Sequence, residues 1–592
     1  MRALRITGKI LLVLLAILGG LTVVLAVTVG LAVNHLTRLT AAPTPAQAVL
    51  IFDLGNGVID ALPDSPLARV AMERTVTLQD VLRGLDAAAA DSRVRLLLLR
   101  LGNAGIDFVH AQELADEIAR FRRSGKTVIA FTESFDEGGE TNSRYILAAA
   151  SSEIWMQPSG SLSLAGAVLQ TPFLKDLLDK VGVTARMDHR EEYKGAMNSL
   201  TQTSMPAPQR ANMQGLVDSL TTQLTEALAR GRHIAPAEAG KLVAGGPYSG
   251  EAAKAAGLLD GLGYWDQVQS TALRRAGDDA STVDLSDYIA RLPDPPRGTP
   301  KIAVIYGIGE ISLGRGRNAP LFGKSGMGST TVADALHDAV DDSKIAGIIF
   351  RIDSPGGSYT ASDTIWREVV RARERGKPLV VSMGSVAASG GYFVAAPAAT
   401  IVAEPGTLTG SIGVFAGKFV VKDLLAKLGI NVDSVAGTPN ALAESMTTDY
   451  TPEQWAALER ELDRIYDDFM SKVAAGRHMD KAAVHAVAKG QIWTGADAKA
   501  RGLVDELGGL ATATAAVKRL AKIDADAAVD LEQYPAPSND LQSALSSLAG
   551  GGSESRSLAM AFARLAQLAA PLVNAVESWG EPGDHSLRAP LP

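Results

Sequence analysis

"DSKIAGIIFRIDSPGGS", residues 342–358, leads from a charged turn into an unbroken apolar stretch and then into Ser-Pro-Gly-Gly. A run of Ile, Ala and Phe of this kind reads as a strand buried on both faces, as in parallel sheets, and the glycines mark where the chain leaves the sheet. A related phrase occurs earlier. "DSRVRLLLLRLGNAG" (91–105) overlays it at a shift of 251, and "GKTVIAF" (125–131) overlays "GKPLVVS" (376–382) at that same shift. Further on, "YILAAASSEIWMQPSGSLSLAGAVLQTPFLKDLLDKVGV" from Tyr145 lies over "YFVAAPAATIVAEPGTLTGSIGVFAGKFVVKDLLAKLGI" from Tyr392 at a shift of 247, without a gap. Two copies of one unit account for this register. In each copy, short Val- and Ile-rich strands alternate with helical stretches such as "SDTIWREVVRARER" (362–375), which places the chain in the α/β class with parallel βαβ units.

Working outward from the repeats, the first copy spans 48–297 and the second 298–535, separated by the Pro-rich "LPDPPRGTP" (292–300). Residues 34–47, with "TAAPTPAQA", form a linker. Ahead of it, Ile10 to Val33 gives 24 residues without a charge. As a helix rising 1.5 Å per residue this reaches about 36 Å, enough for a bilayer core of about 30 Å. Arg2, Arg5 and Lys9 lie in residues 1–9, so the positive-inside bias keeps that end in the cytoplasm and sends the remaining chain across. A cleaved signal peptide is the competing reading, but its apolar region is normally about 7–15 residues, and the best small-x-small site, Ala46-Gln47-Ala48, lies far past the apolar run. Residues 536–592 form a variable tail: a Ser/Gly-rich stretch, then "LAMAFARLAQLAAPLVNAVESW" (558–579) with helical spacing.

Composition excludes several classes. A net charge of −8 over 592 residues, with no basic block beyond short pairs, gives no footprint for nucleic acid. Cysteine is absent, which rules out disulfides, a thiolate nucleophile and Cys-ligated metal. Neither HExxH nor a Walker A loop is present, so no cofactor or metal is implied.

Two stretches could carry chemistry. In 348–358 the adjacent glycines Gly356 and Gly357 let backbone N–H groups face inward, an arrangement suited to an oxyanion, although a plain strand-to-helix turn reads the same way. In "MGSVAASGGYFVAA" (383–396) a strand feeds a small-residue loop, and Ser389 stands at the start of a helix, where it is either a nucleophile or an ordinary N-cap.

Together, the strand, DSPGG, helix, strand, AASGGY order followed by "PGTLTGSIGV" (405–414) resembles the membrane-bound signal peptide peptidases of the SppA type, in their long, tandemly duplicated form, which have the Clp/crotonase fold. The resemblance covers residues 48 to 535. It implies a serine peptidase whose base is a lysine. A local histidine is missing in any case, since none lies between Ser389 and Arg477, and only His189 is held in reserve. In single-copy members the lysine follows the serine at a spacing that here lands on Ala441. The shift of 247 carries Ala441 back to Lys194 in "REEYKGAMNS" (190–199), and Ser389 back to Asn142. The resemblance therefore implies Ser389 as nucleophile and Lys194 as general base, with Ser411 orienting the amine and Gly356, or its neighbour Gly357, and Gly390 forming the oxyanion hole. A working base needs a pKa near 7–8 rather than about 10.4, so Lys194 must be desolvated and Glu191 and Glu192 must point away from it. The resemblance further implies a homotetramer anchored in the inner membrane, with its catalytic region on the periplasmic side, cutting hydrophobic peptides such as signal peptide remnants. Two rivals stay open: a crotonase-like acyl-CoA enzyme, for which Asp353 is the local acid/base, and a non-catalytic membrane scaffold that binds peptides.

Overall fold

The computed structural model describes residues 44–62, 75–103, 105–316 and 326–536, with the backbone of a strand at Ser586–Arg588. The stretches at 10–33 and 558–579, read as helical in sequence, lie outside the described residues; among those described, no helix is long and apolar enough to cross a membrane.

Six parallel strands build the first repeat's sheet, in the order Gly261–Leu262, Glu153–Met156, Thr127–Thr132, Val94–Arg100, Ala48–Asp53, Ser281–Asp284. "VRLLLLR" sits at its centre with Leu97, Leu98 and Leu99 wholly buried, as a strand covered on both faces requires. Its covering helices start where the sequence supplies caps. Thr77 and Asp80 close a reciprocal capping box on the helix Leu78–Ala90, and the Asp107 carboxylate accepts from Val109 and His110 at the start of Phe108–Arg122. The second repeat has the same plan in an eight-stranded sheet, with Lys301–Ile308, Ile345–Ser354 and Leu379–Ala388 as consecutive parallel neighbours. Ile345–Ser354 is the apolar run of 342–358, and its register to Leu379–Ala388 slips between Ile352 and Ser354, where the chain bends toward Pro355-Gly356.

Three connections join the repeats, and each bears on the site. Ile302, Val304, Ile349 and Val380 of the second repeat share one apolar cluster with Leu97, Leu99 and Val128 of the first. A buried polar seam crosses the same boundary: the Arg351 guanidinium, 1% exposed, donates to Glu113 at 2.8 Å, to Ser382 at 3.0 Å and to Asp60 at 3.2 Å. The third connection is a strand exchange. Thr184–His189 of the first repeat pairs antiparallel with Phe415–Val420 of the second, His189 opposite Phe415 and Thr184 opposite Val420. This pairing delivers residues 190–194 to Ser389 of the other repeat.

Candidate active site

The strand Leu379–Ala388 ends one residue before Ser389, and the helix Gly390–Ala395 begins one residue after it. So abrupt a reversal forces Ser389 to φ +55° and ψ −115°, a region that costs a side-chain-bearing residue of order 1–3 kcal/mol and persists only where the surroundings dictate it. The surroundings are backbone bonds on both sides: Ser389 N–H donates to Gly410 O at 2.8 Å, and Phe393 N–H to Ser389 O at 2.8 Å. The hydroxyl makes no capping bond to the helix, so the N-cap reading of this serine fails.

What the hydroxyl meets is Lys194. Its Nζ lies 2.7 Å from Ser389 Oγ, 3.0 Å from Ser411 O and 3.1 Å from Ser411 Oγ. All three residues are fully buried. Burial alone holds the Lys194 amine well below its usual range, with no carboxylate opposing it. Glu191 is turned to His485 at 3.2 Å and Glu192 to Lys489 at 3.3 Å, as a neutral amine demands. An uncharged amine has two N–H donors and one lone pair. In that form the two oxygens of Ser411 would take the donors and leave the lone pair for the Ser389 proton; in the charged form Nζ donates to Ser389 Oγ as well.

The backbone holds Lys194 from three directions. Arg190 N–H donates to Val414 O at 2.9 Å, Tyr193 N–H to Lys489 O at 3.1 Å, and Gly490 N–H to Ile412 O at 2.9 Å. Gly490, at φ +78°, lies so close that a Cβ there would stand 2.7 Å from Lys194 Cα. Ser411 is held at φ +50° by its own N–H on Gln491 O at 2.6 Å. Sequence reasoning missed Lys489, Gly490 and Gln491. A lone glycine in "AKGQIW" was the available signal, and it does not say which segment will approach.

The three oxyanion candidates converge. A Cβ on Gly390 would lie 3.2 Å from Gly356 Cα and from Gly357 N, so the two glycine segments touch. Gly356 N–H is engaged by Ser354 Oγ at 3.2 Å. The duplicate positions hold no second pair: Asn142 donates to Gly166 O at 2.7 Å, and Ala441 is exposed in a short 3-10 turn.

Other groups are committed elsewhere. His189 bonds through Nδ1 to Glu191 O. His110 lies 3.4 Å from Ser385 Oγ and in plan resembles the base of a triad. Burial pushes its pKa down, but bonds to Asp107 at 2.5 Å and Asp60 at 3.1 Å outweigh this and hold the imidazole protonated, so it has no lone pair to offer. Asp353 accepts from Val386 N–H at 3.0 Å, and burial raises its carboxyl, which leaves it a fastening for the strand that leads to Ser389.

Comparison with known proteins agrees with this arrangement. The family model described as Peptidase family S49 matches residues 120–277 and 371–524, one segment in each repeat. "Protease 4" of Salmonella typhi is 31% identical over 565 residues, covering 91% of this chain and 88% of that protein. "Protease 4" of Haemophilus influenzae is 31% identical over 472 residues, 77% of this chain and 75% of its own. "Serine protease SPPA, chloroplastic" of Arabidopsis thaliana is 31% identical over 473 residues, 78% of this chain and 68% of its own. With two matched repeats and relatives aligned along most of its length, the chain belongs to peptidase family S49, as a long SppA-type serine peptidase.

Proposed function

We propose that the chain is a membrane-anchored endopeptidase working through a Ser389–Lys194 dyad, with the Clp/crotonase fold in each repeat. The observation that carries this is the 2.7 Å approach of a buried amine, free of any carboxylate, to a hydroxyl 195 residues away in sequence. Lys194 removes the Ser389 proton as Oγ attacks a peptide carbonyl, and the tetrahedral oxyanion is met by the backbone N–H of Gly390 with that of Gly357, or of Gly356 once its bond to Ser354 Oγ is given up. Ser411 orients the amine. The ammonium then protonates the leaving amine, and the neutral Lys194 takes a proton from water as it hydrolyses the ester. The buried, apolar setting and the uncharged 10–33 segment support hydrophobic peptides such as signal peptide remnants as substrates, with the anchor in the inner membrane and the site on its outer, periplasmic side.

A homotetramer fits the strand exchange. The duplicates of 184–189 are 431–436, and those of 415–420 are 168–173. Residues 431–436 are exposed throughout, with Val432 and Val435 bare, and Val168 is exposed as well. A second copy supplies the missing partners head to tail. The test of the chemistry is labelling with a fluorophosphonate. Wild type is expected to label at Ser389, while Ser389→Ala and Lys194→Ala are expected to fail. Equal labelling of all three ends the dyad. The acyl-CoA alternative loses support because Asp353 is bound to backbone.

A further inference from the structure

The edge strand of the second repeat's sheet, Ile492–Thr494, pairs antiparallel with Leu408–Gly410, Ile492 opposite Gly410. A helix of the first repeat, Ala207–Arg232, covers its outer side. Polar side chains along one face of that helix meet the second repeat: Ser219 Oγ lies 3.0 Å from Thr494 Oγ1, and Gln223 Nε2 donates to Pro405 O at 3.0 Å. Asn212 makes a different contact. Its Oδ1 accepts the Ile492 N–H at 2.9 Å and its Nδ2 donates to Ile492 O at 2.8 Å, so one side-chain amide stands in for a residue of a neighbouring strand. Asn212 is buried, at 7% exposed.

Ile492 is the last residue of a strap, 489–492, whose other members hold parts of the site. Lys489 O accepts from Tyr193 N–H, Gly490 N–H donates to Ile412 O, and Gln491 O accepts from Ser411 N–H at 2.6 Å. The first bond fixes the residue before Lys194. The last holds Ser411 at φ +50°, a costly region for a residue with a Cβ, and there both its oxygens face Lys194 Nζ, at 3.0 and 3.1 Å. Without Asn212, the Ile492 N–H and C=O would be buried with no partner, which backbone groups avoid by moving. Relief is close by, in a cavity of about 210 Å³ lined in part by Tyr193, Asn212, Gln491 and Ile492. Ile492 turning into it would carry Gln491 O away from Ser411, and Ser411 would then relax and release the amine.

We infer that Asn212 is a positioning residue for the dyad: by completing the edge at Ile492 it locks the 489–492 strap, and through the strap it sets Ser411 against the Lys194 amine. The kinetic part of this inference rests on the proposed Ser389–Lys194 chemistry; the fastening of Ser411 by Asn212 does not. A loosened strap admits water to Lys194, and since burial alone holds that amine below its usual range, hydration moves it back up. The charges around the strap already have partners, Glu191 with His485, Glu192 with Lys489, and Asp497 with Arg501, so hydration is the variable.

Two variants of the full chain test it: Asn212→Leu, which keeps the volume but not the amide, and Asn212→Ala. Ser219→Ala loosens the same helix against the same strand without touching the strap, and serves as the comparison. Fluorophosphonate labelling rates are followed across neutral and alkaline pH. Both Asn212 variants are expected to label about ten- to a hundredfold more slowly at neutral pH, with the acid limb of the profile moved upward by about half a unit or more, while Ser219→Ala keeps the wild-type limb. A limb unmoved in both Asn212 variants, or moved equally by Ser219→Ala, overturns the inference. A second readout is independent of chemistry: in a Ser389→Ala background, amide hydrogen exchange at Ser411 and Gly490 is expected to quicken in the Asn212 variants and not in Ser219→Ala. Unaltered exchange at Ser411 overturns the inference whatever the dyad does. Quickened exchange in a chain whose Lys194→Ala variant labels like the wild type supports the fastening and sinks the dyad alone.

Discussion

The charge on one buried amine sets how this site responds to pH. Lys194 has its pKa lowered by burial, so the native chain stays unprotonated there over a range in which the unfolded chain, at about 10.4, binds a proton. In that window the unfolded state holds the extra proton, and stability therefore rises with pH by up to about 1.4 kcal/mol per unit. Above about 10.4 neither state is protonated and the penalty is gone. Lys194→Met is accordingly expected to be more stable than wild type at neutral pH, by a margin that shrinks as pH climbs toward 10.4. Guanidinium melts at several pH values check this, and a margin that does not change with pH refutes it. On the proposed dyad the same protonation governs rate, so kcat/KM is expected to fall about tenfold per unit on the acid side of the lowered pKa. Gly490→Ala tests placement rather than charge. Its methyl group must displace the Lys194 backbone, and a shift near 1 Å is expected to cost about a hundredfold in labelling rate while circular dichroism stays native.

Among the elements, the seam between repeats decides whether Lys194 and Ser389 meet. Arg351→Met would leave the carboxylates of Asp60 and Glu113 buried without their cation, an expected loss of about 3–5 kcal/mol in denaturant unfolding. A loss below about 1 kcal/mol would mean the seam is solvated in solution. This seam was not legible in the sequence. Arg351, Asp60 and Glu113 carry no spacing that links them, because their meeting depends on how two sheets pack. Lys194 was reached by resemblance. A spacing taken from single-copy relatives lands on Ala441, and the gapless internal repeat carries that position back to Lys194, which the structure sets beside Ser389. Strand Ile345–Ser354 and the turn at Ser389 were readable from apolar runs and small residues. The Ser354 bond to Gly356, the approach of Gly490 and the tail strand at 586–588 were not, since each joins segments through backbone atoms that every residue possesses.

For the whole molecule, duplication leaves residues 431–436 exposed where their counterparts 184–189 are paired. The observed pairing of His189 with Phe415 maps, through the shift of 247, onto Ala436 and Val168. A chain without cysteine offers a clean background. Val168→Cys/Ala436→Cys is expected to form intermolecular disulfides under mild oxidation, giving a ladder that ends at the closed assembly, while either single substitution gives at most dimers. Monomer alone on a non-reducing gel would exclude the head-to-tail arrangement.

Placing the amine and the hydroxyl on opposite sides of the Pro-rich 292–300 link also has a consequence for synthesis. On the proposed dyad, a ribosome that has released only the early half has made a base with nothing to activate, resting on a core still missing Ile302, Val304, Ile349 and Val380. Hydrolytic power arises only once the late half has emerged and docked. A growing chain thus stays unarmed, and translation order itself works as a safety catch.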